Sequence, residues 1–129
     1  MRDRQRDERA GRAAEWLVML YLLLTGHRIL ARRWRGRAGE IDLVARRRHL
    51  LLFCEVKYRQ DTADIAVPTA RQRHRICRAA QEFAARHHTV QMLEWRFDLV
   101  RVSAPRRAGP GHFRLMPLHH LKDAWRCDG

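Results

Sequence analysis

Residues 50–59 read LLLFCEVKYR, an apolar run that ends in alternating charged and uncharged side chains. A continuous apolar run of this kind is typical of a central β-strand that is buried on both faces. Alternate side chains of a strand share a face, so the three charged residues are expected to point one way: Glu55, Lys57 and Arg59. The stretch therefore predicts a buried strand that holds a carboxylate and an ammonium side by side near its end.

Hydrophobic periodicity and turn residues on either side of this strand predict the remaining elements. The pattern predicts a helix at 8–25, strands at 27–34, 40–45, 50–58 and 94–102, a helix from Pro68 to about His87, a candidate strand at 112–116 and a closing helix at 118–125. This order predicts one α/β domain over residues 1–129, with a mixed central sheet, an antiparallel meander of its first three strands, and flanking helices. The charged residues 1–8 lack apolar anchors and are expected to fray.

The first predicted helix is apolar on nearly every side. One stripe at helical spacing is expected to be buried: Ala13, Trp16, Leu17, Leu20 and Leu24. The other side carries Val18, Met19 and Leu22, so the helix is expected to be covered on more than one side. Residues 16–24 form the longest apolar run, and nine residues fall short of the roughly 20 that a membrane span needs, so no membrane partner is expected.

The chain carries 27 Lys and Arg residues against 14 Asp and Glu residues, a formal net charge of +13. Such an excess favours a polyanionic partner, namely DNA, RNA or an acidic membrane surface. A ribosome-like surface without any chemistry explains the same charge. Three arginines share one face of the second helix, where they can follow a phosphate backbone or simply meet solvent: Arg71, Arg75 and Arg78.

The chain has three cysteines, Cys54, Cys77 and Cys127, and no pair at the spacing of a zinc site. An odd count without a secretory signal indicates reduced thiols and a cytoplasmic protein. A chain of 129 residues buries roughly two thirds of its unfolded surface, so no disulfide is expected to be needed. Cys54 is expected to pack as a small hydrophobic residue.

A candidate metal site follows from the strand before the central one. Twelve residues separate Asp42 from Glu55, and a hairpin turn at 46–49 would bring the two opposite each other. Two such carboxylates can hold a hard cation such as Mg²⁺ or Mn²⁺, and the Val56 carbonyl is a further candidate ligand. Lys57 would position the attacking water or stabilise charge on a phosphate in the transition state. A surface ion pair is the alternative explanation.

Glu15 is the only acidic residue between Gly11 and Gly26. A buried carboxylate without a partner is costly, so a metal ion, its water shell or a basic side chain is expected beside it. A first-turn glutamate that reaches solvent is the alternative.

Other polar and aromatic residues are given structural roles. Asp98 is expected to pair with a basic residue rather than bind a metal ion. The histidines at 87–88 and 119–120 have no spaced acid or cysteine partner and are expected on the surface. Trp34 and Trp95 can stack on bases, but core packing is the favoured role.

These residues together resemble the PD-(D/E)xK nuclease superfamily, with Asp42 matching its first acid, Glu55 and Lys57 its ExK pair, and Glu15 its helical glutamate. Within that superfamily the chain resembles the YraN-like family of bacterial proteins, which are similar in fold to archaeal Holliday-junction resolvases. The matching stretches are GRAAE at 11–15, GEIDL at 39–43, FCEVKYR at 53–59 and RFDLV at 96–100. The chain departs from the family at Arg71, where lysine is usual; arginine keeps the charge but cannot readily lose a proton.

The resemblance implies a restriction-endonuclease-like core and hydrolysis of phosphodiester bonds in DNA, structured DNA included, with Mg²⁺ or Mn²⁺ as cofactor. It implies a homodimer by analogy. The implied metal site comprises Asp42, Glu55, Val56 and Glu15, and the implied nucleic-acid contacts are Arg59, Arg71, Arg75 and Arg78. Fold alone does not establish activity. The alternatives are a catalytically silent nucleic-acid-binding module and a scaffold partner in a cell-envelope or chromosome complex.

Overall fold

A computed structural model describes residues 2–59, 68–103 and 118–127, with side chains from Glu8 onward. The elements in chain order are α1 (Arg2–Leu24), β1 (Arg28–Arg35), β2 (Glu40–Arg47), β3 (Leu50–Arg59), α2 (Ala70–Arg86), a 3₁₀ turn (His88–Val90), β4 (Glu94–Ser103) and β5 (Leu118–Trp125). The strands form one five-stranded sheet in the order β1-β2-β3-β4-β5. The candidate strand at 112–116 lies outside the described residues.

The sheet is mixed, because β3 and β4 run parallel while the other neighbouring pairs are antiparallel. The parallel pair requires a crossover, and α2 lies within it, as is usual for such connections. One helix packs against each face of the sheet. The predicted α/β class and mixed, helix-flanked sheet are confirmed, and the architecture is consistent with a restriction-endonuclease-like core.

The central strand β3 separates two apolar clusters. Leu51 and Phe53 belong to the cluster under α2, whereas Leu52 and Cys54 belong to the cluster under α1. All four are essentially inaccessible to solvent, as expected for a strand buried on both faces. The predicted packing of Cys54 is confirmed. The same alternation continues past the apolar run, so Val56 packs on the α1 side and Glu55 faces α2.

The helix α1 begins at Arg2, six residues before the predicted start, and four of the six added residues are Arg or Gln, which are good helix formers. Its buried stripe is Ala14, Val18 and Leu22, which are fully inaccessible. The helix ends at Leu24, one residue before the predicted end, and Gly26 follows with a φ of +91°, which suits glycine. Among the described residues, no helix combines the length and apolarity that crossing a bilayer requires.

The predicted stripe of α1 is wrong. Trp16, Leu20 and Leu24 are 58%, 53% and 78% exposed, so the helix is covered on one side only. Both stripes are apolar, and periodicity alone could not rank them. The smaller Ala14 and Val18 allow the helix to lie close to the sheet, which favours the stripe that contains them.

The predicted closing helix at 118–125 is also wrong, because these residues form β5. The strand pairs antiparallel with β4, and its register shifts between the partners of Phe97 and Leu99. This irregularity includes Asp123, whose φ is +53°. Leu118 joins the α1 cluster and Trp125 the α2 cluster, on opposite faces, as period-two alternation over seven positions requires. Leu118, Leu121 and Trp125 also stand at i, i+3 and i+7, the spacing of an amphipathic helix, so periodicity alone could not separate the two structures.

The prediction of reduced thiols is wrong for two cysteines, since Cys77 on α2 is bonded to Cys127 just after β5, with Cα atoms 5.8 Å apart. Sequence spacing cannot reveal this pair, because 50 positions separate its members. The fold brings them together when α2 and β5 both pack against the same sheet face. Among the described cysteines, only Cys54 is free.

Asp98 anchors β5 and is completely buried. Arg96 donates two hydrogen bonds to its carboxylate at 2.8 Å, the Asp123 N–H donates a third at 2.9 Å, and His120 Nε2 lies 2.6 Å from Oδ2. Burial raises the pKa of Asp98, but hydrogen bonds from His120, Arg96 and the Asp123 N–H outweigh it and lower the pKa overall. The predicted pairing of Asp98 with a basic residue is confirmed.

The surface prediction for the histidines is wrong at His120. Its side chain is only 8% exposed, and its Nδ1 lies 2.8 Å from the Tyr21 hydroxyl on α1. His87, His88 and His119 are exposed, as predicted. Trp34 and Trp95 pack against the α2 cluster, which confirms their core role. His120 escaped detection because its partners lie far away in sequence.

We expect Asp98→Asn to lower the free energy of unfolding at neutral pH by about 3 kcal/mol, because it leaves the partly buried Arg96 without its counter-charge and the buried His120 side chain without its carboxylate partner. The native pKa of Asp98 lies below its unfolded value, so the carboxylate stabilises the fold above the unfolded pKa near 4. This contribution is lost as the pH falls through the native pKa. Urea unfolding at several pH values should show the difference from wild type shrinking in acid.

Asp123→Asn is the matched control for that series. Asp123 is exposed and its ion pair with Arg126 is open to solvent, so a change within about 0.5 kcal/mol is expected. Equal effects of the two substitutions would contradict the anchoring role of Asp98.

We expect the bond between Cys77 and Cys127 to stabilise the oxidised protein by up to about 4 kcal/mol, because it closes a long loop in the unfolded chain. Urea unfolding with and without reductant measures this difference. The double variant Cys77→Ser/Cys127→Ser should unfold identically in both buffers. Three free thiols in the unreduced, denatured protein would show that the bond does not form.

Candidate active site

The candidate site lies where β2 and β3 part. The antiparallel ladder between them runs from Arg47 and Leu50 at the turn to Leu43 and Cys54, and the next residues are Asp42 and Glu55. Beyond this point the Val56 N–H donates a hydrogen bond of 2.8 Å to Asp42 Oδ2. The predicted position of Asp42 opposite the Glu55 region is therefore confirmed.

The side chains of β2 do not alternate regularly between the two sheet faces around Asp42. Ile41 packs in the α2 cluster, whereas Leu43 packs in the α1 cluster, so the two do not share a face as regular strand alternation would require. On the neighbouring strand, Arg33 has a φ of +49° between the partners of these two residues. The local twist turns Asp42 toward β3, which simple alternation could not predict.

The Asp42 and Glu55 carboxylates are close enough for the charge of Glu55 to raise the pKa of Asp42. Lys57 Nζ is 3.4 Å from Glu55 Oε1, and the two side chains are 20% and 15% exposed. The β3 alternation explains this contact, because Glu55 and Lys57 are neighbours on the same face of the strand. The structure thus brings together Asp42, Glu55 and Lys57, as the sequence predicted.

Burial, followed by the charge of Glu55, raises the pKa of Asp42 to about 8, although the Val56 N–H opposes this shift. Burial also raises the pKa of Glu55, while Lys57 acts to lower it. Two carboxylates in contact resist losing both protons unless a cation compensates their charge. The pair therefore has the electrostatic character of a cation site.

The donors present are sufficient for Mg²⁺ or Mn²⁺ only with further ligands from solvent or substrate. No group of three or more His, Cys, Asp or Glu side chains suited to a metal ion occurs in the described part of the chain. Mg²⁺ commonly binds through one or two carboxylates and completes its shell with waters and phosphate oxygens. Asp42 and Glu55 fit that mode, and ligation by the Val56 carbonyl stays a prediction.

Glu15 finds the basic partner that its burial required. Its Oε2 accepts a hydrogen bond of 2.8 Å from Arg33 Nε. Glu15 is near enough to Asp42 to contribute to its raised pKa, so the helical glutamate does approach the carboxylate pair. Arg33 was missed by the sequence reasoning, because an arginine on a basic strand carries no distinguishing signal.

Glu55 opens into a cavity of about 230 Å³ between β2, β3 and α2, which is also lined by Gly39, Gln72 and Arg75. A Cβ on Gly39 would lie 3.3 Å from the Arg75 Cβ, so glycine allows this close approach of the β1–β2 loop to the helix. Arg75, predicted to contact nucleic acid, therefore lies on the wall of the same cavity as Glu55.

The other predicted basic residues flank this cavity. Arg71, Arg75 and Arg78 line an adjacent depression of about 500 Å³. Its remaining wall includes Arg37 and His74, which the sequence reasoning missed. Arg37 is held in the β1–β2 loop by its backbone N–H, which donates a 2.8 Å hydrogen bond to Glu82 of α2.

Arg59 occupies the far end of β3 and is partly buried. Its guanidinium donates a hydrogen bond of 3.3 Å to the Tyr58 carbonyl. Strand alternation puts Arg59 on the face of β3 that carries Glu55 and Lys57. Its predicted contact with nucleic acid stays a prediction.

The amino-acid sequence is similar to those of known proteins. The profile of the Uncharacterised protein family UPF0102 matches residues 14–102, which include Glu15, Asp42, Glu55 and Lys57. The chain belongs to the UPF0102 family. The match ends before β5, so the Asp98 anchor is within it and its partner His120 is not.

Several bacterial UPF0102 proteins are similar over most of their length. That of Nitrobacter winogradskyi is 48% identical over 99 residues, which cover 76% of this chain and 83% of that protein. The Rhodopseudomonas palustris protein is 45% identical over 113 residues, covering 84% and 86%. The Azorhizobium caulinodans protein is 47% identical over 129 residues, covering 99% and 91%. Each alignment therefore covers most of this chain and most of the relative.

We expect Asp42→Asn to stabilise this UPF0102 protein by about 1–2 kcal/mol at pH 8 in metal-free buffer. The native pKa of Asp42 lies above its unfolded value, so ionisation opposes folding increasingly as the pH rises from about 4 to 8. Thermal unfolding at each pH should show the advantage of the variant shrinking in acid. A variant that is less stable than wild type at pH 8 would contradict the repulsion between the carboxylates.

Proposed function

We propose that this UPF0102 protein is a metal-dependent endonuclease of the PD-(D/E)xK type that hydrolyses phosphodiester bonds in DNA, with structured DNA as the first substrate class to test. The observation that carries the proposal is the contact between two largely buried carboxylates, Asp42 and Glu55, beside Lys57. A structural ion pair would need one acid only. The second acid raises the pKa of the first and is costly unless a cation occupies the site.

Each side chain has a role that its position supports. Asp42 and Glu55 would hold Mg²⁺ or Mn²⁺, and the Val56 N–H orients the Asp42 carboxylate. The bound metal ion would neutralise phosphate charge and acidify a water. Lys57 is close enough to Glu55 to donate to a water or a phosphate oxygen next to it, stabilising charge that grows in the transition state.

Glu15 supports the site from the α1 side. Its ion pair with Arg33 keeps a negative charge near Asp42 and fixes the strand β1 beside it. We propose that Glu15 positions the metal site rather than acting as its principal ligand, because its carboxylate already has a partner.

Charge and cavity lining support nucleic acid as the substrate. The net charge is +13, and Arg75 lines the cavity into which Glu55 opens. Arg71 and Arg78 continue the basic surface along α2, so a phosphate backbone that reached Glu55 would cross all three arginines. Arginine in place of lysine at position 71 suits a phosphate contact.

A catalytically silent nucleic-acid-binding module is the second candidate. It is favoured by the ion pair of Glu15 with Arg33 and by the absence of a third free carboxylate at the pair within the described residues. The homodimer expected by analogy also stays a proposal. The exposed apolar side chains of α1 would be compatible with it.

We expect Lys57→Ala to lower the cleavage rate by about 10²–10³-fold, because the variant loses one charged donor to the transition state. Binding of the same DNA should change little, since Lys57 is one cation among many. The measurement is a cleavage screen of duplex, flap and four-way-junction DNA and of RNA with Mg²⁺ or Mn²⁺, beside DNA affinity without metal.

Lys122→Ala is the matched control, because it removes the same charge from an exposed position on β5. Cleavage that persists in Lys57→Ala and in Asp42→Asn would indicate a contaminating nuclease. Binding without cleavage of any substrate by the wild type would favour the silent module.

A further inference from the structure

A second basic cavity lies on the other flank of α2, away from Glu55. Its volume is about 590 Å³, and it is enclosed by α2, the end of β5 and the residues that follow. We call it the distal cavity and define it by its basic residues and two neighbours: Arg73, His74, Arg78, Arg126, Trp125 and Cys127. No described acidic residue lines it.

The distal cavity is linked to the candidate site by residues that line two neighbouring cavities. His74 and Arg78 line both the distal cavity and the depression that contains Arg71 and Arg75. Arg75 in turn lines both that depression and the cavity beside Glu55. A backbone that crosses α2 from Glu55 therefore meets basic side chains at every step until it reaches Arg73 and Arg126.

The floor of the distal cavity is formed by a buried tryptophan and a disulfide bond. Trp125 is 6% exposed and stacks near Phe97, with ring centroids 5.6 Å apart. The bond between Cys77 and Cys127 ties the residues after β5 to α2, so Arg126 is held between two fixed positions. The Trp125 Nε1 is buried and has no acceptor among the described residues.

Arg126 is available to such a ligand. Its only described ion pair is with Asp123 at 3.1 Å, and both side chains are exposed, so the pair is weak in water. Arg73 has no ion-pair partner among the described residues. A phosphate between the two arginines would gain charge-assisted hydrogen bonds from both.

We propose that the distal cavity binds a backbone phosphate of the same nucleic acid whose scissile phosphate lies beside Glu55. This inference rests on the proposed function for the identity of the ligand, and it adds a contact across α2 from the candidate active site. Arg73 and Arg126 hold the phosphate, and the disulfide keeps Arg126 in place. The substrate contact therefore extends beyond the exposed arginine face of α2.

The test compares two double variants, each of which removes two arginine charges. One is Arg73→Gln/Arg126→Gln, and the control is Arg9→Gln/Arg12→Gln. Arg9 and Arg12 are exposed on α1, across the sheet from the distal cavity. Affinity for labelled duplex and four-way-junction DNA is measured by fluorescence anisotropy in metal-free buffer, at salt concentrations between about 50 and 200 mM. Circular dichroism confirms that both variants fold.

We expect the distal-cavity variant to bind about tenfold more weakly than the control, and its plot of log affinity against log salt to be less steep by about one. Reduction of the wild type should give part of the same loss, because it frees Arg126. Equal affinities and slopes for the two variants, with both folded, would overturn the proposal.

The two proposals fail in different ways. A wild type that binds DNA through the distal cavity but cleaves nothing would refute the nuclease and leave the phosphate contact intact. Cleavage that depends on Lys57, combined with equal binding by the two double variants, would refute the distal contact alone. Failure of the wild type to bind any DNA would refute both.

Discussion

The contact between Asp42 and Glu55 is the constraint around which the rest of the structure is arranged. Burial and the charge of Glu55 raise the pKa of Asp42 to about 8. Ionisation of both neighbouring carboxylates therefore opposes folding at neutral pH. The chain holds them there with the Val56 N–H on one acid and Lys57 beside the other. An arrangement that costs stability without a cation is more easily explained by a functional site than by packing.

The scaffold supplies the rigidity that this contact needs. The strand β3 pairs with β2 on one side and along its whole length with β4 on the other, and each of its faces is covered by one helix. The ladder between β2 and β3 ends at Leu43 and Cys54, so the two carboxylates lie where the strands separate, next to the buried paired segment. The hydrogen bonds to Asp98 and the bond between Cys77 and Cys127 secure β5, an edge strand of the sheet.

Charge is distributed unevenly around this scaffold. The acidic pair faces α2, and the exposed side of that helix presents a continuous set of arginines toward two further cavities. The opposite helix α1 presents apolar side chains such as Trp16 and Leu24 to solvent. The exposed arginines of α2 therefore attract a polyanion to the face of the molecule on which Glu55 can be reached.

Local sequence patterns are enough to predict the order of most elements, the burial of β3 and the neighbouring positions of Glu55 and Lys57, because these depend on residues two to four positions apart. Packing between distant segments selects the stripe of α1 that is buried, makes residues 118–125 a strand, and brings Cys77 to Cys127. It also turns Asp42 toward β3 and joins Glu15 to Arg33. These outcomes depend on contacts between distant segments, and local periodicity carries no information about which apolar surface or which charge a segment will meet.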